Sequence, residues 1–167
     1  MRAAIAAAAV LAVALVAPAA LSAPGAAPPV GCDQVIDRVG SGRVGGYRVV
    51  LGVFSVPRSY MPEIEDTEQR PWRYWRKAGL VVRAGTGGLV SVSVARAWRD
   101  RVAIGWGGTG TVSSLRLRRC AADQGANASW VAYAGGFVLR VPSACVPLVF
   151  RAGGRTATVR FGLGRRC

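Results

Sequence analysis

The stretch of this chain best equipped for chemistry runs from Arg70 to Lys77, RPWRYWRK, where Trp72, Tyr74 and Trp75 are interleaved with Arg70, Arg73, Arg76 and Lys77. Guanidinium groups stack on aromatic faces while their remaining N–H groups reach an anion, and an indole face suits the apolar side of a sugar ring. The chemistry such residues supply is recognition. Trp72, Arg73, Tyr74 and Arg76 read as a stacking and charge platform for an acidic glycan or a phosphate-bearing polymer. Trp98, set between Arg96 and Arg99, is a further aromatic among cations. A strand through RPWRYWRK would send Trp72 and Tyr74 one way and Arg73, Trp75 and Lys77 the other, so at least one indole is expected in the core.

Bond-making chemistry is poorly supplied. The chain has no histidine, which removes the commonest general base and every Ser-His or Cys-His nucleophile arrangement. Lys77 is the only lysine and stands in no SxxK pattern. Glu63, Glu65, Asp66 and Glu68 form the one dense group of carboxylates. A glycosidase would need two of them held apart across a sugar, one with a raised pKa, and an EF-hand would need a D-x-D-x-D-G spacing that is absent. These acids are therefore expected in a solvated loop that offsets neighbouring arginines. The run GWGGTG from Gly105 to Gly110 lacks the Lys and Ser or Thr of a phosphate loop and precedes a strand, so it reads as a turn. No catalytic residue, metal or cofactor is expected.

The setting for recognition is given by the first 23 residues. Arg2, an apolar run from Ala3 to Val16 and small residues ending at Ala23 have the form of a secretory signal peptide. Residues 24–31, rich in Ala, Pro and Gly, read as a flexible spacer, and 32–167 as a single domain. No integral membrane segment is expected in the mature chain. Without Arg2, 22 basic residues fall to 21 against 8 acids, a net charge of +13, which favours anionic partners. Arginine, alanine, glycine and valine dominate, as in a bacterial protein from a GC-rich genome. Cys32, Cys120, Cys145 and Cys167 all follow the signal, and an even number in an exported chain implies two disulfides. Three connectivities are possible. The expected one joins Cys120 to Cys145, stapling the Trp130 segment, and Cys32 to Cys167, tying the termini.

The elements that must carry these residues are strands. Tyr47 to Val56 reads as one strand, and a polar loop follows from Pro57 to Pro71. Arg73 to Arg83 and Leu89 to Ala95 read as a hairpin turning at Gly85, Gly87 and Gly88, with Val90, Val92 and Val94 inward and Ser91 and Ser93 outward. Val102 to Trp106, then Leu115 and Leu117 alternating with Arg116 and Arg118, supply two more strands. Trp130 to Val141 is interrupted by Gly135-Gly136, and Val146 to Phe150 with Ala157 to Phe161 form a terminal hairpin around Gly153-Gly154. About eight strands with little helix point to an antiparallel β-sandwich, immunoglobulin-like or jelly-roll-like, or a partly closed barrel.

The function expected is therefore that of a secreted, small, basic, disulfide-bonded β module that binds an anionic or carbohydrate polymer at the cell surface without catalysis. Nucleic acid would be bound only non-specifically, through charge. Two readings compete with it: a polysaccharide-active enzyme using the Glu63 to Glu68 carboxylates, and a protein-binding or inhibitory domain presenting a flat apolar patch.

Overall fold

The computed structural model describes residues 29–43, 45–122 and 129–167. The expected signal peptide and most of the expected spacer lie outside them. Strands account for nearly all regular structure: β1 (Asp37–Val39), β2 (Tyr47–Val50), β3 (Phe54–Pro57), β4 (Tyr60–Met61), β5 (Glu65–Asp66), β6 (Tyr74–Lys77), β7 (Leu80–Arg83), β8 (Leu89–Val94), β9 (Val102–Trp106), β10 (Ser114–Arg118), β11 (Trp130–Tyr133), β12 (Gly135–Leu139), β13 (Ala144–Ala152) and β14 (Arg155–Leu163). Helical structure among the described residues is confined to two single 3₁₀ turns, Cys32–Gln34 and Arg96–Trp98. No helix among them is long and apolar enough to cross a membrane.

One layer is the sheet β10-β8-β13-β14-β4, dominated by the nine registered pairs of the β13/β14 hairpin. The opposing layer comprises the sheets β1-β11-β7-β3-β2 and β5-β6-β12-β9. These two share a backbone. Trp130 lies opposite Arg83 and Leu139 opposite Tyr74, and the register between those pairs is unbroken, so β6–β7 and β11–β12 are two long strands bent once. At the bend the Ala78 N–H donates to the Gly135 carbonyl (2.9 Å), and the Trp106 indole N–H donates to the Ala78 carbonyl (2.7 Å). Gly135 has φ +150°, and a Cβ there would stand 1.8 Å from the Gly105 carbonyl oxygen, so only glycine fits. The glycine pair read as an interruption is thus the corner of a continuous pairing.

Between the layers a phenylalanine seam closes the sandwich. Phe54 of β3 meets Phe150 of β13 at 5.1 Å, and Phe137 of β12 meets Phe161 of β14 at 5.5 Å. Phe150 and Phe161 are themselves 6.4 Å apart. All four rings are almost fully buried, together with Leu80, Val82, Val92, Ile104, Leu117 and Leu148. The all-β sandwich inferred from strand spacing is the architecture found.

Three local expectations are corrected. Tyr47 to Val56 is a hairpin: Leu51 and Gly52 both take positive φ (56° and 72°), the sign pattern of a type I′ turn, and β2 pairs back on β3. Leu51 hid that turn, since leucine rarely adopts positive φ. β7 and β8 do not pair with each other. β7 lies between β3 and β11 while β8 lies between β10 and β13, so residues 84–88 cross from one layer to the other. Val90, Val92 and Val94 do point inward, but alternation fixes which face is apolar and not which strand is the neighbour. The polar loop after Pro57 contributes two short edge strands, β4 beside β14 and β5 beside β6.

The disulfides also pair differently. Cys32 bonds Cys120 and Cys145 bonds Cys167, with Cα separations of 5.7 and 5.0 Å. Val30 runs parallel to Leu117, its N–H donating to Arg116 O (2.8 Å) and its carbonyl accepting from Arg118 N–H (3.0 Å), which delivers Cys32 to the end of β10. Cys145 sits opposite Gly162 in the terminal hairpin, and the chain turns back after Leu163 through Gly164 (φ 66°) to return Cys167 to it. Two oxidised pairs place the fold in an oxidising, extracellular-type environment.

The two bridges close loops of very different length, with separations of 88 and 22 residues. In the chain-entropy picture they stabilise by about 4 to 5 and about 3 kcal/mol respectively. Replacing Cys32 and Cys120 by serine is expected to lower the urea midpoint more than replacing Cys145 and Cys167. Peptide mapping without reduction checks the pairing directly, and a Cys120–Cys145 peptide would refute it.

Candidate functional site

The RPWRYWRK segment is divided by the fold. Residues 72 and 73 precede β6, so the strict alternation expected of them begins only at Tyr74. Tyr74 is half-buried and packs on the core, with the Arg73 guanidinium over its ring at 5.4 Å. Trp75 points to the opposite, outer face and lines a groove together with Trp72. Trp72 carries the Arg140 guanidinium over its ring at 4.5 Å. Trp98 lies in the 3₁₀ turn Arg96–Trp98, half-buried against the core, with Arg101 stacked at 4.6 Å. The structure thus brings Trp72 next to Trp75 rather than Tyr74, and leaves Trp98 in a separate element.

The two arginines expected to carry charge to a ligand are both engaged by carboxylates. Arg73 grips Asp66 through Nε (2.6 and 2.8 Å to the two oxygens) and Nη2 (2.6 Å), a bidentate pair that draws the Asp66 carboxyl below the usual aspartate range. Arg76 shares the inward phase of Phe137, and its Nη1 donates to the Glu63 carbonyl (3.1 Å) and Glu63 Oε2 (3.2 Å). Glu65 and Asp66 occupy the edge strand β5, flanked by the exposed Glu63 and Glu68. This is an acid loop tied to arginines. The lowering of Asp66 is the opposite of what a general acid requires.

The cations that sequence reasoning passed over are assembled on the outer face of the sheet β10-β8-β13-β14-β4. Because Leu115, Leu117, Val90, Val92, Leu148, Phe150, Val159 and Phe161 face the core, the alternate positions face out. Register places Arg116, Ser91, Arg151 and Thr156 in one row across four strands. The row beside it runs Ser114, Ser93, Val149 and Thr158, with Arg118 and Arg160 at opposite corners. Arg151 Nη1 donates to Ser93 Oγ (3.4 Å). The C-terminal tail folds over the same sheet, since a Cβ on Gly162 would lie 2.3 Å from the Arg165 carbonyl oxygen. Cys145–Cys167 pins that tail, and Arg166 stacks on the exposed ring of Tyr60 at 4.8 Å.

No strand position of this face is Asp or Glu. The described acids lie elsewhere: Glu63 to Glu68 around β5, Asp33 and Asp37 near the entering chain, Asp100 after the second 3₁₀ turn. A groove lined by Ser91, Arg116, Arg151, Arg155 and Thr156 runs over one end of the face. Its surface is a field of guanidinium groups spaced by hydroxyls on strands about 4.8 Å apart, which matches an extended anion rather than a small enclosed ligand. The alternation of Leu115 and Leu117 with Arg116 and Arg118 was legible. That these arginines share a face with Arg151 and Arg160 depends on strand order, which no local pattern contains.

The Arg73–Asp66 pair gives a titration prediction. A folded pKa below the unfolded value means the favourable contribution is present above the unfolded pKa and is lost as pH falls through the folded one. In an NMR titration the Asp66 carboxyl is expected to protonate at lower pH than an ordinary aspartate, and Arg73→Ala should move it up towards the ordinary range, with the Glu68 N–H still donating to it. An unshifted Asp66 in the wild-type protein would refute the pair. No family model, no curated protein and no solved structure matches this chain.

Proposed function

We propose that this protein is an exported, non-catalytic module that binds an anionic polymer at the cell surface through the outer face of the sheet β10-β8-β13-β14-β4. The observation that supports this reading is the separation of charge among the described residues: Arg116, Arg118, Arg151, Arg160, Arg165 and Arg166 gather on a face whose strand positions hold no carboxylate, while the described acids lie on other elements. A basic balance needed only for solubility would be interspersed with acids on every face. Here like charges are held side by side at a cost in mutual repulsion that a polyanion removes on binding. The signal-like first 23 residues and the two disulfides agree with work outside the cytoplasm.

The carboxylate-based enzyme reading has less behind it, because Asp66 is clamped by Arg73 and Glu63 by Arg76. The protein-binding reading wants an exposed apolar patch. Large exposed hydrophobic side chains among the described residues are Ile36 just before β1, Tyr60 in β4 and Leu89 in β8.

The test is retention of the oxidised protein on an acidic polysaccharide, a polyphosphodiester wall polymer and DNA over a salt series. A variant with Arg118, Arg151 and Arg160 all changed to serine is compared with one in which Arg43, Lys77 and Arg83 are changed. Losing three phosphate contacts should lower the slope of log affinity against log salt by about 2 to 3 for the first variant. The second should leave it near the wild-type value. Equal losses in both would mean that only net charge matters and would overturn the assignment.

A further inference from the structure

A second surface, on the opposite layer, has a different chemistry. The outer face of β6 and β12 is apolar where Trp75 lies opposite Val138. Around it Thr67, Gln69, Arg70, Trp72, Trp75 and Thr111 line a groove of about 190 Å³. A second lobe of about 280 Å³ continues past the same Trp75, Val138 and Thr111 over Gly105, Gly110 and Gly135. The shared walls make the two lobes one trough. Its far floor is low because Gly105 and Gly135 carry no side chain, and neither can acquire one: a Cβ would lie 2.2 Å from Gly110 O and 1.8 Å from Gly105 O respectively.

Thr67 and Thr109 on this trough are tied to backbone carbonyls, while two other polar side chains are uncommitted. The side chains of Gln69 and Thr111 make no hydrogen bond to any described residue, and both are exposed. Arg70 donates only to the backbone carbonyls of Glu68 and Gln69, each at 3.4 Å, and forms no ion pair with a described carboxylate. It differs in this from Arg73 and Arg76 on the same segment. Two indoles, one of them with Arg140 stacked on it, an amide, a hydroxyl and a guanidinium that makes no ion pair with a described carboxylate are what a pyranose bearing a carboxylate requires; the one described carboxylate on this face is Glu65, opposite Trp75. The ring's C–H face lies on an indole, its hydroxyls meet Gln69 and Thr111, and the carboxylate takes Arg70. A phosphate carried on a flexible acyclic linker would satisfy the arginine but leave the indoles without a ring to cover.

We infer that the Trp72–Trp75 trough is a subsite for a hexuronic acid residue of a glycan. Trp72 and Trp75 are the stacking walls, Arg70 is the carboxylate partner, and the glycine-floored lobe admits the next sugar, so the ligand is a chain rather than a monosaccharide. This site lies on the layer opposite the arginine face and does not depend on it.

The experiment is an NMR titration with a short oligogalacturonate and, separately, the same oligomer with its carboxylates reduced to primary alcohols. The protein carries the Arg118, Arg151 and Arg160 to serine changes, so that the arginine face contributes less. The indole N–H resonances of Trp72 and Trp75 should shift saturably with the acidic oligomer, while those of Trp98, Trp106 and Trp130 stay in place. The reduced oligomer should bind at least about 10-fold more weakly, as expected from losing a charged hydrogen bond. Arg70→Gln, at an exposed loop position that leaves the core untouched, should abolish that preference, and Arg70→Lys should restore part of it. Absence of a saturable shift, equal affinity for the two oligomers, or an Arg70→Gln variant with undiminished preference would each overturn the inference. Because the readout is the Trp72 and Trp75 indoles on the opposite layer, failure here leaves the polyanion reading to stand or fall on its own salt series.

Discussion

Contact between the two layers through Phe54, Phe150, Phe161 and Phe137 is the constraint from which the rest of the molecule follows. A sandwich core takes one face of each strand and, by the period of two, releases the other to solvent. Every strand therefore has an inner register chosen by packing and an outer register left open. In β10 and β14 the outer register is filled mainly with Arg, Ser and Thr, and in β13 it runs Cys145, Pro147, Val149 and Arg151; in β6 it is filled by Trp75 and Lys77. The two surfaces put forward as binding sites are the outward halves of strands whose inward halves hold the fold together. Changes to them should be separable from changes to stability in a way that core changes are not.

The bend at Ala78–Gly79 and Gly135 gives this general arrangement its particular shape. Without it β6–β7 and β11–β12 would be straight, and the sheet carrying β5 and β9 could not turn to bring Phe137 onto Phe161 while Phe54 reaches Phe150. The glycines that permit the bend also floor the trough beside Trp75. One local requirement, close approach of the β12 backbone to β9, thus serves both the closure of the core and the depth of an external groove. The disulfides act at the opposite layer. One ties the entering chain to the end of β10, and the other lays the C-terminal arginines over the end of β14.

What was legible in the sequence and what was not divide along the range of the interactions. The β13/β14 hairpin was plain, since alternation, a Gly-Gly turn and immediate return are all local. The inward valines of β8 were equally plain, but its partners were not, because pairing with β10 and β13 instead of β7 is decided by the whole sandwich. The disulfides show the same split. Cysteine number implied two bridges, whereas the connectivity depended on Val30 running beside Leu117 and on Cys145 facing Gly162. At the candidate site, RPWRYWRK was singled out for composition, and part of it, Trp72, does line a groove. That Arg73 and Arg76 pair with Asp66 and Glu63 was not legible, because those acids arrive from an edge strand and its flank that read as featureless loop.

Placing the two proposed surfaces on opposite layers has a physical consequence of its own. The layers are about 10 Å apart at the backbone, and each surface stands on the outside of its layer, so no single sugar or phosphate can touch both. Attraction to a polyanion acts over roughly a Debye length, about 8 Å at physiological salt, so on the proposed reading the arginine face would draw anionic chains in before any contact is specific, and the trough would discriminate only at contact, by whether a ring and a carboxylate arrive together. A ligand captured electrostatically on one layer would have to pass around an edge of the sandwich to reach the other, and at the β5 edge it meets Glu63, Glu65, Asp66 and Glu68. Those acids repel a diffusing polyanion from that edge. On the proposed reading the arrangement would favour two chains held by one molecule over one chain wrapped around it.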